Sequence, residues 1–209
     1  MEFLQDAFDL IRHLDESLLT LVQDYGSWIY AILFAIIFCE TGLVVTPFLP
    51  GDSLLFSAGA VAATGAIDFL SLGVLLSVAA IAGDAVNYSL GRTVVSRFLL
   101  RSRFLRRDHL ARAEAFYRDH GGKAIFLARF APFLRTFVPF VAGMAGMDYR
   151  HFFIYNITGG LAWVWLCCLG GYFFGNVPFV KANFTAVILG IVLLSLLPVA
   201  VSAWRARSA

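Results

Sequence analysis

Charge is scarce in this sequence. Only 14% of its 209 residues are Asp, Glu, Lys or Arg, where a soluble domain carries about 25%. So few polar groups cannot cover a water-facing exterior, which excludes an ordinary soluble domain and leaves a lipid-facing one. Cysteine is sparse as well. Cys39, Cys167 and Cys168 all fall in apolar runs, without metal-ligand spacing and without a disulfide framework. They read as small hydrophobes. The four histidines, His13, His109, His120 and His151, are scattered, so no metal or other cofactor is expected. The N-terminus lacks a basic stretch followed by a short apolar core, so no cleavable signal peptide is expected.

What is present is 60% hydrophobic residues and an uneven charge pattern. Nine of the sixteen basic residues lie between Arg92 and Lys123, whereas the first 24 residues hold six acids against Arg12 alone. A basic stretch between apolar blocks follows the positive-inside rule better than it fits a nucleic-acid arm. Residues 92–123 and the tail bearing Arg205 and Arg207 are therefore placed in the cytoplasm. Residues 1–23 alternate apolar and charged groups at helical spacing and read as an amphipathic helix. A bilayer span takes about 20 mostly apolar residues, and residues 70–91, 152–174 and 184–204 qualify. Two further apolar segments are broken. Residues 26–66 contain Glu40, Pro47, Pro50, Gly51 and Asp52, and residues 121–147 contain Arg129, Pro132, Arg135 and Pro139. Proline removes a backbone donor and clashes with the preceding turn. Interrupted backbone at membrane depth survives where it is buried in protein or lines a wet cavity, so both segments read as re-entrant hairpins.

The broken segments also suggest an internal repeat. Pro47-Phe-Leu49 recurs as Pro132-Phe-Leu134, and Ala58-Gly59 as Ala142-Gly143. Tyr88 lies 29 residues after Gly59, and Tyr172 lies 29 after Gly143. The charge-derived topology sets the two units in opposite orientation. The expected fold is thus all-α, a single transmembrane domain over 1–209. It comprises two inverted repeats, each a re-entrant helical hairpin followed by a transmembrane helix, with an N-terminal amphipathic helix and a C-terminal span. Paired broken helices in inverted repeats form a transporter architecture with its site near the midplane.

Four ionisable residues fall inside the broken segments. A charge at a helix centre costs about 2.5–3.5 kcal/mol even on insertion scales, so Glu40, Asp52, Arg129 and Arg135 are the candidate site. Arginine's planar fork suits phosphate, which assigns Arg129 and Arg135 to an anionic head group. Burial and a neighbouring arginine push a carboxylate's proton affinity in opposite directions, so Glu40 or Asp52 could exchange a proton as phosphate comes and goes. The bland alternative is a pair of buried salt bridges fixing the hairpins together. Asp84, Arg92 and Asn156 are supporting candidates, Asp84 through a pairing with Arg92. Trp163 reads as a packing residue.

The wording of these segments resembles the DedA family of bacterial membrane proteins. The resemblance runs nearly end to end, through Phe38-Cys-Glu40-Thr-Gly42, Pro47-Phe-Leu-Pro-Gly-Asp52, Gly83-Asp84, Tyr88-x-x-Gly91-Arg92 and Ala128-Arg129-Phe-x-Pro132-x-x-Arg135. It implies an inner-membrane protein that moves a phosphate-bearing lipid, such as undecaprenyl phosphate, in a manner dependent on the proton-motive force. It also implies functional roles for Glu40, Asp52, Arg129 and Arg135. The expected partners are a membrane lipid and protons, with no nucleic acid, and a homo-oligomer is left open. The alternatives are a proton-coupled cation antiporter, against which two fixed positive charges argue, and a scramblase of broader specificity. An enzyme is not expected. Gly51-Asp52 and Gly83-Asp84 superficially resemble an intramembrane aspartyl protease, but the extra glycine of that motif and its Tyr-Asp partner are missing.

Overall fold

A computed structural model describes residues 26–43, 51–94 and 121–175, with 177, 178 and 180. The expected amphipathic helix at 1–23, the basic stretch from 95 to 120 and the expected span at 184–204 lie outside the described residues. Among those described there are six α-helices and no strand: α1 (Trp28–Gly42), α2 (Gly51–Ala62), α3 (Phe69–Val94), α4 (Gly122–Ala128), α5 (Pro132–Met144) and α6 (Tyr149–Phe174).

Helices α3 and α6 each have 26 residues, about 39 Å at 1.5 Å per residue, which is enough to cross a hydrocarbon core of about 30 Å. Both outrun the expected 70–91 and 152–174, and α6 starts early for a capping reason. Asp148 Oδ1 accepts the His151 N–H at 2.9 Å and so satisfies one of the open donors of the first turn. Asp68 does the same before α3, accepting the Ser71 N–H at 2.7 Å. Hydrogen bonds from Ser71 hold the exposed Asp68 carboxyl below its ordinary range.

Among the described residues, the long helices expose apolar side chains along their middles and bury charged ones. On α3, Leu70, Val74, Val78, Val86 and Leu90 are exposed in register every fourth residue or its multiple, and Ile154, Leu166 and Phe173 are exposed on α6. Glu40, Asp84, Asn87, Arg129, Arg135 and Asn156 are buried. A soluble protein places these classes the other way round, whereas a lipid-facing bundle needs this order.

The broken segments break for local reasons. Proline restricts the residue before it to extended backbone, and Ala131 sits at φ −122°, ψ 110° ahead of Pro132. The helix therefore cannot run from α4 into α5. Leu43 is likewise extended after α1, at φ −103°, ψ 120°. Pro139 lies inside α5, where its missing N–H leaves the Arg135 carbonyl without its usual helical donor.

Contacts along the helices fix their directions. Tyr30 Oη on α1 accepts the Asp68 N–H at 2.9 Å, and Gly42 lies against Gly83. So α1 runs alongside α3 in the same sense and stops near its middle. On the other side Gly122 lies against Tyr155, and Arg129 against Gly160. So α4 runs with α6 and also stops near its middle. Helices α3 and α6 are antiparallel: Phe69 meets Tyr172 with ring centroids 4.6 Å apart, and Asn156 donates to the Ile81 carbonyl at 3.0 Å.

The remaining helices cross over. Helix α2 packs on α6, where a Cβ at Gly59 would collide with the Cys168 carbonyl. Helix α5 packs on α3, where a Cβ at Gly143 would collide with the Tyr88 carbonyl. Only glycine permits backbones this close. The six helices thus sort into two groups interleaved in sequence, α1 with α3 and α5, and α2 with α4 and α6.

Candidate functional site

The charged residues collect where the two groups meet, at the ends of the broken helices. Helix α1 delivers Glu40 in its last turn, α2 delivers Asp52 in its first, and α5 delivers Arg135 in its first. The geometry around Arg135 is a fork with both tines occupied. Nη1 donates to Asp52 Oδ1 at 2.7 Å, and Nη2 donates to Glu40 Oε1. Glu40 is fully buried, while the Asp52 side chain keeps 17% of its surface exposed. Asp52 also suits the N-terminal end of α2, where open backbone donors favour negative charge.

Glu40 does a second job there. Its Oε1 accepts the Gly51 N–H at 3.2 Å, joining the end of α1 to the start of α2. Gly51 is required for this contact, because a Cβ would fall on the Glu40 carboxylate. The second carboxylate oxygen, Oε2, is buried without a hydrogen-bond partner, as is Arg135 Nε. Buried polar atoms of this kind are costly unless something fills the gap.

A second cluster lies beside the first. Arg129 Nη2 contacts Asp84 Oδ2 at 2.5 Å and Asn156 Oδ1 at 2.5 Å, and donates to the Ala80 carbonyl at 3.3 Å. Trp163 on α6 stands between the clusters. Its indole N–H donates to Asp52 Oδ1 at 2.8 Å, and its ring lies 4.8 Å from Arg135 Cζ and 5.9 Å from Arg129 Cζ. Both distances are within cation–π range.

These positions change the pairing expected from sequence. The four charges of the broken segments separate: Arg135 takes both Glu40 and Asp52, and Arg129 takes Asp84. The expected Asp84–Arg92 pair gives way to this, with Arg92 exposed in the last turn of α3. Eight residues separate those two along one helix, a rise of about 12 Å, too far for contact. Trp163 was assigned to packing, yet it touches a carboxylate and both guanidinium groups. Its N–H was the available signal, since a buried indole seeks an acceptor. Asn87 joins the buried polar residues without any mark in the sequence. It is fully buried and donates to the Thr41 carbonyl at 3.1 Å and the Thr136 carbonyl at 2.7 Å, tying α1 and α5 to α3.

Comparison with known proteins finds relatives along most of the chain. Residues 49–173 match the VTT domain, a stretch holding every residue of both clusters except Glu40. Protein DedA of Escherichia coli K12 is 52% identical over 202 residues, covering 95% of this chain and 92% of its own. Two inner membrane proteins of the same organism are more distant. YghB is 37% identical over 75% of this chain and 73% of its own, and YqjA is 36% identical over 72% and 69%. No solved structure matches the chain.

Proposed function

The chain belongs to the VTT-domain (DedA) family of membrane proteins, and on that footing we propose that it moves a phosphate-bearing lipid between leaflets without covalent chemistry. One observation carries the reading: Arg135, buried at the ends of two broken helices, holds two acceptor oxygens from two separate carboxylates. A phosphate offers the same fork the same acceptor geometry. It would therefore compete with Glu40 and Asp52 rather than seek a new site, and Asp52 is the more exposed of the two.

The charge count supports a proton in the cycle. Arg129 and Arg135 supply +2, and Glu40, Asp52 and Asp84 supply −3, a sum of −1 with all five charged. Adding an anionic head group deepens that excess in a medium of low dielectric, where like charges repel strongly. Uptake of a proton by Glu40 or Asp52 as the phosphate binds removes the excess, and its release on departure restores the ion pairs. This is the coupling to the proton gradient.

In this reading α1–α2 and α4–α5 are re-entrant hairpins entered from opposite sides, since α1 and α4 stop near the middle of antiparallel spans. The inner membrane of a bacterium is the assigned location, with the 92–123 side cytoplasmic. Undecaprenyl phosphate is the first substrate to test. The assay is leaflet transfer in proteoliposomes across several phosphate-bearing lipids, with and without a pH gradient. Transfer that depends on the gradient and is lost in Arg135→Gln is the expected result. Wild-type transfer by that variant would remove Arg135 from the head-group site. Cation-driven pH changes without lipid would favour the antiporter reading instead.

A further inference from the structure

The two arginines are held in different ways, and the difference separates their roles. Arg129 is enclosed. It and Asp84 are almost without exposed side-chain surface, at 2% and 3%. Three acceptors from two helices converge on its Nη2: Asp84 and the Ala80 carbonyl from α3, and Asn156 from α6. Its stem lies in a groove made by two adjacent glycines. A Cβ at Gly159 would come within 3.5 Å of Arg129 Cγ, and one at Gly160 within 3.5 Å of Cζ and Nη2. Asn156 is itself fixed by donating to the Ile81 carbonyl at 3.0 Å. Arg135 is also buried, at 5% exposure, and packs on the Trp163 ring, but its polar partners are of another kind. Both of its acceptors are carboxylates from the ends of broken helices, and one of them is 17% exposed.

Resting on the lipid-transfer reading, we infer that Arg135 alone receives the head group, and that Arg129 is a positioning residue. With Asp84 and Asn156 it forms a neutralised pivot that pins the α4–α5 break against α3 and α6 and so aims Arg135. The physical consequence is specific. Removing one member of a buried pair strands its partner's charge, whereas removing both charges together is tolerated. A pivot can lose its charges in concert and still hold. A ligand arginine cannot.

The test compares Arg129→Gln, Asp84→Asn and the double variant with Arg135→Gln, by thermal unfolding in detergent and by transfer of a polyprenyl phosphate in phosphatidylcholine vesicles. Each single pivot variant should lower the folding equilibrium constant by about two to three orders of magnitude. The double variant should recover most of that loss and transfer lipid within about tenfold of wild type. A double variant that folds like wild type but transfers no lipid would overturn the assignment.

A second measurement on the unaltered protein covers the case in which the double variant does not fold. Arginine-selective dicarbonyl labelling, read by mass spectrometry with and without the polyprenyl phosphate, should find Arg135 labelled and lipid-protected, with Arg129 unlabelled in both. Lipid-sensitive labelling of Arg129 would also overturn the assignment. If wild-type vesicles transfer no lipid at all, the transport reading falls, and the stability rescue still decides whether Arg129 and Asp84 act as a pair.

Discussion

Gly51→Ala adds one methyl group, and the structure says where it goes. The new Cβ would overlap the Glu40 carboxylate, which is fully buried and held by Arg135 and by the Gly51 N–H. Glu40 must move, and both hydrogen bonds go with it. Hydrogen bonds to charged groups contribute about 1.5–3 kcal/mol each. Alanine returns at most about 1 kcal/mol through helix propensity, so the net loss is about 2–5 kcal/mol. For a chain of this size that is a Tm decrease of about 4–20 °C. The control is the same substitution in a Glu40→Ala background, where the space is open. There the added methyl should cost almost nothing, giving a coupling energy of about 2 kcal/mol or more in a double-mutant cycle. Equal Tm losses in the two backgrounds would refute the reasoning, because the clash would then lie elsewhere.

Trp163→Phe keeps an aromatic ring over Arg135 but removes the N–H donated to Asp52. It should cost about 1 kcal/mol in stability by thermal unfolding and slow leaflet transfer, and Trp163→Leu should do more of both. Asn87→Leu removes the donors to the Thr41 and Thr136 carbonyls. Losing these two buried hydrogen bonds costs about 0.5–1.5 kcal/mol each, visible as a Tm decrease without any change in dicarbonyl labelling of Arg135. Asp68 gives a pH signature. Its folded-state affinity for a proton is lowered from the ordinary value of 3.8 by Ser71, so its stabilising effect is present above that value and is lost as pH falls through the lower, folded one. Asp68→Asn should retain the cap but flatten that part of the acid dependence of Tm; an unchanged acid limb would place the effect on another group.

Much of the fold can be read from the chain because its signals are local. Hydropathy marks α3 and α6, and Pro132 marks the α4–α5 break through the extended Ala131 before it. Glu40, Asp52, Arg129 and Arg135 stand out because charge in an apolar run is costly wherever it lies. Which charge meets which is not local. Arg129 reaches Asp84 only because α4 runs beside α6 while α6 crosses α3, a relation that no spacing within either segment encodes. The indole N–H of Trp163 marks it as seeking an acceptor, but nothing in its spacing names Asp52 as that acceptor. Gly159 and Gly160 sit at a close approach filled by Phe126, Ile81 and the Arg129 side chain, and nothing in their spacing names those neighbours.

The glycine seams also limit how such a molecule could move. In sequence the natural units are α1–α3 and α4–α6, but Gly59 binds α2 to the span of the second unit and Gly143 binds α5 to the span of the first. A rocking motion that kept those seams would therefore separate α1, α3 and α5 from α2, α4 and α6. Two ion pairs bridge that boundary, Arg135 with Asp52 and Arg129 with Asp84, whereas Glu40 stays with Arg135 on one side and Trp163 stays with Asp52's helix on the other. The bridges are unequal in exposure, so the boundary has a sealed end and a looser one. The two broken segments are alike in backbone plan and opposite in charge, acids on the first and arginines on the second. The two groups are therefore unlike in charge: Glu40, Asp84 and Arg135 sum to −1 on one side of the boundary, and Asp52 and Arg129 sum to zero on the other.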